Sequence, residues 1–275
     1  MTGDPSAGPQ STERDWAQPR SARVYDYLLG GGHNFAVDRE LADRVVAEVP
    51  GLAHSALVNR AFVRRVVHFM LSAGVRQFLD LGCGIPGVDP VHLIARKAAP
   101  ECRVVYVDHD ELAVAHAELL LEGDEQATVL RADVVDARQV LAEPRVRRML
   151  DFAAPIGLLA VALLHYVPNE RDPWGMLAGY RDRLAVGSFL ALSHVTCDVS
   201  PEVVTRAQEL MSGSDPVCPR SRAGIERFFA GFDLVEPGLV HPGRWRNPVR
   251  PGPTALGDWY FAGVGRKFSS TEGTA

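Results

Sequence analysis

The sequence predicts an α/β protein, a doubly wound and mostly parallel sheet with an antiparallel C-terminal strand, preceded by an N-terminal helical extension. Three observations predict it. From about residue 76 onward, short runs rich in Val, Leu and Ile alternate with helical segments. Those runs are apolar throughout rather than alternating, as expected of strands covered on both faces. Ahead of residue 76 the apolar residues recur at helical spacing only.

The elements follow in order. "MTGDPSAGPQSTERDWAQPR" is polar and rich in Pro, Gly, Ser and charge. It reads as a disordered leader over residues 1–20, without the apolar core of a signal peptide. "SARVYDYLLGGG" predicts a helix capped by Ser21 and stopped by three glycines. "DRELADRVVAEV" predicts a second, ended by Pro50 and Gly51, and "HSALVNRAFVRRVVHFMLSAG" a longer third, closed by Gly74. These assign residues 21–75 to the helical extension. The core then runs over 76–267, with strands in "RQFLDLG", "RVVYVD", "ATVLRADV", "IGLLAVALL" and "SFLALSHV" and helices between them. Two more helices are predicted over 201–212 and 221–230. "FDLVEPGLV" and "DWYFAGVGRK" are joined by a Pro/Gly/Arg-rich stretch with no helical pattern, which predicts an antiparallel pair at the sheet edge. Residues 268–275 read as a flexible tail. With no repeat and no linker, residues 21–267 are expected to form one domain.

Composition narrows the class. A net charge of −5 argues against a general nucleic-acid binder, which needs a concentrated basic face. The arginines of "NRAFVRR" and "PRVRRML" read instead as solvated helix faces. The longest apolar run, residues 156–164, falls well short of the roughly 20 residues of a membrane span. Cys83, Cys102, Cys197 and Cys218 are far apart, with neither a disulfide framework nor metal-ligand spacing. Idle thiols suit a reducing, cytoplasmic setting.

In open parallel sheets, ligands sit at the carboxyl ends of the strands. Three successive predicted strands deliver an acid there: Asp80, Asp108 and Asp133. Gly82, Gly84 and Gly87 spell a dinucleotide fingerprint, and Asp108 would suit a nicotinamide ribose. That reading leaves Asp80 and Asp133 without a task, and its third glycine directly follows Pro86. A nucleoside with an amino-acid tail and no pyrophosphate uses all three acids. Asp80 would orient the ammonium, Asp108 would accept from the ribose hydroxyls, and Asp133 from the adenine amino group. The ligand of that description is S-adenosylmethionine.

"DLGCG", "VYVD" and "RADV" resemble the first three motifs of the class I S-adenosylmethionine-dependent methyltransferases. More narrowly, the chain resembles the actinobacterial S-adenosyl methyltransferase family, formerly a domain of unknown function. The resemblance spans residues 21–267 through "SARVYDYLLGGGHNFAVDRE", "NRAFVRR", "QFLDLGCGIP", "VVYVDHDELAVAHA", "LLHYVP", "SHVT", "PRSRAGIERFFAGFDLVEPG" and "GVGRK". It implies a Rossmann-like fold, methyl transfer, and S-adenosylmethionine as cofactor with no metal. The cofactor-binding set it implies is Asp80, Gly82, Cys83 and Gly84, then Asp108 and His109, then Asp133 and Val134. Leu163 follows the fourth strand, and Tyr25, Asn34 and Arg60 come from the helical extension. The chain departs from the family pattern at His33, where an acid is expected before Asn34, and at "GVDPVH", where a Thr and an Asn are usual.

Methyl transfer from a sulfonium is an in-line displacement whose leaving group comes with the cofactor. The protein supplies alignment and dryness, with a base only if the acceptor must lose a proton. His165, after the fourth strand, and His194, at the end of the fifth, are the candidate catalytic residues, with packing as their other reading. Tyr166 reads as a pocket wall. The glycines of "LLGGGHNF" form either a lid over the cofactor or a tight helix–helix turn. The expected acceptor is a small molecule, with tRNA and protein open. Two other functions stay beside the enzyme: a regulatory protein that binds the cofactor without turnover, and a nicotinamide oxidoreductase.

Overall fold

The computed structural model describes residues 18–49, 51–198, 201–212, 214–249 and 259–268. Most of the expected leader and tail, residues 1–17 and 269–275, lies outside them.

Among the described residues, three helices come first: α1 (Ser21–Leu28), α2 (Ala36–Glu48) and α3 (Leu52–Ser72). Five parallel strands follow, β1 (Gln77–Leu81), β2 (Arg103–Asp108), β3 (Ala127–Arg131), β4 (Gly157–Val161) and β5 (Phe189–Val195). Between them run α4 (Val91–Ala98), α5 (Glu111–Leu120), the short α6 (Ala137–Ala142) and α7 (Pro144–Met149), and α8 (Pro173–Arg183). After β5 come α9 (Pro201–Met211) and α10 (Arg222–Glu226), then β6 (Phe232–Leu234) and β7 (Tyr260–Lys267). The sheet order is β3-β2-β1-β4-β5-β7-β6, with β7 antiparallel to both of its neighbours. This is the Rossmann-like arrangement, doubly wound from a switch point between β1 and β4.

The apolar strands are covered on both faces, as their composition demands. Phe78, Val104, Tyr106, Leu159 and Ala191 pack with α3 and α4, through Phe62, Val66, Met70 and Ile94. Leu79, Val105, Leu158, Leu190 and Leu192 face the other way, onto Val140 of α6, Leu177 of α8 and Phe228. Alternation along each strand therefore decides which face a strand-end side chain serves. Asp80 and Asp108 continue the first row. His194 continues the second.

Several boundaries differ from expectation. The run of residues 156–164 is a strand only to Val161, because Ala162 turns to a left-handed φ of 54° and residues 164–166 form a 3-10 turn. β3 stops at Arg131, so Asp133 lies beyond the strand rather than at its end. The helix expected over 221–230 is the short α10 followed by a 3-10 turn over Arg227–Phe229. Ser21 does not cap α1. The cap position is Arg20, and the Asp215 carboxylate accepts from the Ser21 N–H at 3.0 Å and its hydroxyl at 2.7 Å. A distant acid thus meets the positive end of the helix, where a negative charge is favoured.

The turn after α1 is built around Asp26. Its Oδ2 accepts from the His33 N–H at 2.8 Å and from Asn34 Nδ2 at 2.9 Å. A Cβ on Gly31 would lie 2.1 Å from Asp26 Oδ1, so the chain can fold back over this carboxylate only at a glycine. Nearby, Arg23 and Asp38 form a buried ion pair at 2.8 Å that ties α1 to α2.

Candidate active site

A cavity of about 300 Å³ opens along the carboxyl edge of the sheet. Asp80, Gly82, Cys83 and Gly84 from the end of β1 line it, together with Asp108 and His109 from the end of β2. Ala162, Leu163 and Tyr166 continue it past β4, and Tyr260 closes it at β7. Ser21, Ala22, Tyr25, Asp26 and Leu29 of the α1 region form a wall, with Arg60 reaching in from α3.

The floor is a left-handed turn. Gly82 and Gly84 have φ of 62° and 58°, a region where side chains other than glycine are strained. A Cβ on Gly82 would also sit 2.3 Å from Leu163 Cδ1. The turn is held by Asp108, whose Oδ2 accepts from the Gly84 N–H at 2.8 Å and whose Oδ1 accepts from the Asp110 N–H at 2.9 Å. Burial raises the Asp108 carboxyl above its ordinary range, against the pull of those two N–H groups. The chain then runs on through Pro86 and Pro90 before α4 begins at Val91. A dinucleotide loop needs a helix N-terminus beside its glycines to meet the pyrophosphate. None stands there.

Asp80 is buried, with no hydrogen-bond partner among the described residues. Burial pushes it up to about 7, against the attraction of Arg60 and with a smaller push from Asp108. Arg60 is itself committed to the loop beyond, donating to the Val88 carbonyl at 2.8 Å and the Asp89 carbonyl at 2.6 Å. Tyr25 is held on α3, its hydroxyl donating to the Ala56 carbonyl at 3.3 Å and accepting from Asn59 Nδ2 at 3.1 Å. The Cys83 thiol is pushed well up by burial and by both acids, so it stays protonated.

Other expected site residues lie elsewhere. Asp133 sits outside the lining, accepting from the Val135 N–H and pairing with Arg171 at 2.6 Å. Partial burial opposes ionisation there, but Arg171 and the N–H hold the carboxyl below its usual range. Val134 is packed in the core, its carbonyl accepting from Tyr180. Asn34 braces Asp26 and Gly31 rather than the cavity, donating to the Gly31 carbonyl at 2.9 Å. The stretch lining the cavity is thus the α1 region itself, and not the glycine turn of residues 30–34.

Neither candidate histidine lines the cavity. His194 points to the opposite sheet face, stacked on Phe228. Arg220 Nη1 lies 2.8 Å from its Nε2 and can only donate, so Nε2 accepts and Nδ1 carries the proton toward the Val195 carbonyl at 2.7 Å. Burial and Arg220 push this histidine down to about 3. His165 is buried against it, ring centroids 5.4 Å apart, and is lowered well below its ordinary value by burial, His194 and Arg220. Strand position brought both to the right edge, but the pleat and the 3-10 turn aim them away from the cavity.

Reading the sequence missed Asp26, Arg171, Asp215 and Tyr260 as lining residues. Asp215 sits in "SGSDPVCPR", where Asp-Pro marks a turn and nothing more.

No curated protein matches the chain. Among solved structures, a candidate methyltransferase from Thermobifida fusca is 38% identical, with a TM-score of 0.88, covering 94% of this chain and 98% of its own. A DUF574 family protein from Streptomyces avermitilis is 35% identical at a TM-score of 0.86, covering 92% and 99%. Human N-acetylserotonin methyltransferase, solved with S-adenosylmethionine, shares the fold at 17% identity and a TM-score of 0.50, covering 90% of this chain and 64% of its own. The glycine turn, the acids at the ends of β1 and β2, and a family match over residues 7–268 agree: the chain belongs to the S-adenosyl methyltransferase family, enzymes that use S-adenosylmethionine as cofactor.

Proposed function

We propose that this enzyme transfers the methyl group of S-adenosylmethionine to a small-molecule acceptor. The observation that carries the reading is the cavity itself, in which Asp80 and Asp108 stand together under a wall formed by the α1 region. At about 300 Å³ it is of the size of small-ligand sites, and its walls suit a compact acceptor better than a macromolecule. The residues fit the cofactor's chemistry. An ammonium answers the buried, unpartnered Asp80, and ribose hydroxyls answer the Asp108 carboxylate, whose oxygens can each accept a second hydrogen bond. Gly82, Cys83, Gly84, His109, Leu163, Tyr25 and Arg60 complete the proposed binding set. Asp133, Val134 and Asn34 support it from outside. When bound, S-adenosylmethionine supplies an activated methyl group and its own leaving group, so the protein's share is alignment and exclusion of water.

The buried Asp80, and a glycine turn with no helix N-terminus beside it, set this reading apart from a nicotinamide enzyme, and melting curves test the difference. S-adenosylhomocysteine at about 100 times its dissociation constant should stabilise the fold by roughly 2.7 kcal/mol, with NAD and NADP giving no shift. A shift with NAD and none with S-adenosylhomocysteine would overturn the proposal.

The lid, on this reading, is α1. Its amides between Ala22 and Leu29 should gain hydrogen-exchange protection when S-adenosylhomocysteine is added. Equal protection with and without ligand would make the helix a fixed wall.

All four cysteines are free, which supports a reducing, cytoplasmic location. Among the described residues no helix is long and apolar enough to cross a membrane.

A further inference from the structure

The chain between β4 and α8, residues 162–172, holds two 3-10 turns, Leu164–Tyr166 and Asn169–Arg171, and no other regular structure. Ala162, Leu163, Tyr166 and Arg171 of this stretch line the cavity. It begins under strain, since Ala162 takes a left-handed φ of 54°, which disfavours a residue with a Cβ. Leu163 then lies close against the glycine turn, where a Cβ on Gly82 would come within 2.3 Å of its Cδ1. A stretch with so little regular structure needs outside donors for its buried carbonyls.

One side chain supplies them. Arg220 is buried and does not itself line the cavity. Its Nη1 donates to the Leu164 carbonyl at 2.8 Å and to His194 Nε2 at 2.8 Å. Its Nη2 donates to the Val167 carbonyl at 2.7 Å and to Asn169 Oδ1 at 2.8 Å, and Nε reaches that same oxygen at 3.2 Å. A guanidinium carries five N–H donors, and all are thereby engaged. Leu164, Val167 and Asn169, which Arg220 holds, are interleaved with Leu163, Tyr166 and Arg171, which face the cavity.

Arg220 is in turn pinned to the end of β5. Its N–H donates to the Val195 carbonyl at 3.2 Å, and its carbonyl accepts from the Cys197 N–H at 3.1 Å. Its guanidinium carbon stands 5.1 Å from the centre of the Trp174 ring and 5.5 Å from that of Phe228. The stretches "LLHYVP", "SHVT" and "PRSRAGIERFFAGFDLVEPG" therefore meet at one charged group. Its hydrogen-bond partners are all neutral, and among the described residues no carboxylate pairs with it. Burying a charge without a carboxylate is unfavourable, and a neutral amide could fill a single carbonyl. What a guanidinium adds is a planar, permanently protonated fork that fixes several acceptors in one geometry.

We propose that Arg220 is a positioning residue for methyl transfer. From behind the stretch after β4 it sets Leu163, Tyr166 and Arg171 against the cavity, and so governs cofactor affinity without touching the cofactor. This rests on the cofactor-site reading above and deepens it.

The test separates affinity from stability. Arg220→Met keeps much of the side chain's length and removes its donors. The folded variant should bind S-adenosylhomocysteine at least tenfold more weakly than wild type by calorimetry. Arg220→Lys should recover part of the loss, because an ammonium can still reach some of the same acceptors. Asn169→Ala leaves Arg220 in place but removes the oxygen that takes two of its N–H groups. It should weaken binding in the same direction by less, and it decides the matter if the Arg220 variants do not fold. Lys267→Met is the control. It strips the Arg181 and Leu184 carbonyls of their donor at the opposite end of the strands. It should lower the melting temperature and leave S-adenosylhomocysteine affinity unchanged. Wild-type affinity in folded Arg220→Met or Asn169→Ala protein overturns the positioning role. So does an equal loss of affinity in Lys267→Met, which would make the effect one of general stability. Failure of the wild-type protein to bind S-adenosylhomocysteine would instead strike the cofactor-site reading.

Discussion

Asp108→Ala is expected to weaken S-adenosylhomocysteine binding by about a hundredfold to ten-thousandfold while the protein remains folded. Hydrogen bonds to a charged group contribute about 1.5–3 kcal/mol each, and the proposed role of Asp108 places two ribose hydroxyls on one carboxylate, about 3–6 kcal/mol together. The same carboxylate holds the Gly84 and Asp110 N–H groups, so its loss also frees the turn that shapes the cavity floor. The sheet does not depend on it, because Val104, Val105, Tyr106 and Val107 carry the packing of β2. Asp108→Asn keeps one acceptor oxygen and should fall between wild type and the alanine variant. Calorimetry with a parallel melting curve decides the matter. Wild-type affinity in a folded Asp108→Ala protein would remove the ribose assignment.

The second large effect is on pH dependence. With its carboxyl pushed up to about 7, Asp80 is half protonated in the ligand-free protein near neutrality. Pairing with an ammonium requires the charged form, so binding should release a proton and weaken as pH falls below about 7. Each pH unit costs about 1.4 kcal/mol, so affinity should drop on the order of a hundredfold between pH 7 and pH 5. Stability without ligand moves the other way. The folded carboxyl holds its proton more tightly than the unfolded one, so the advantage from this group is full below about pH 4 and lost as pH rises through about 7. Calorimetry in two buffers of different ionisation enthalpy measures the proton release directly. Asp80→Asn should abolish both the release and the slope. A slope that survives in that variant would assign it to another group.

Much of this architecture is legible in the sequence because its signals are local. Fully apolar runs announce strands buried on both faces, and an acid followed by Gly-x-Gly announces a strand that ends in a left-handed turn. The antiparallel pair at the C-terminal edge follows from the missing helix between its strands. What escaped depends on contacts between distant segments. Nothing near Ser21 reveals that Asp215 will meet it, and nothing in "DWYFAGVGRK" reveals that Tyr260 will face a cavity. The histidines show the limit of reasoning by position along a strand. A residue's place at the carboxyl end is readable, but a shift of one residue sends its side chain to the other face, and that register is fixed only when the strands pair.

The place of β7 between β5 and β6 bears on how the enzyme comes into being. Because the last strand is the one that enters the middle of this edge, β6 has no partner in the sheet until residues 260–267 have been made. Until then the edge of β5, with Leu190 and Leu192 along it, lies open to pairing with other chains. Tyr260 arrives in the same step, so a nascent chain lacks that wall of the cavity until its last strand docks. Assembly and competence to bind are thereby coupled at the ribosome, and a chain stopped short of residue 260 should accumulate in aggregates rather than as a weakened enzyme.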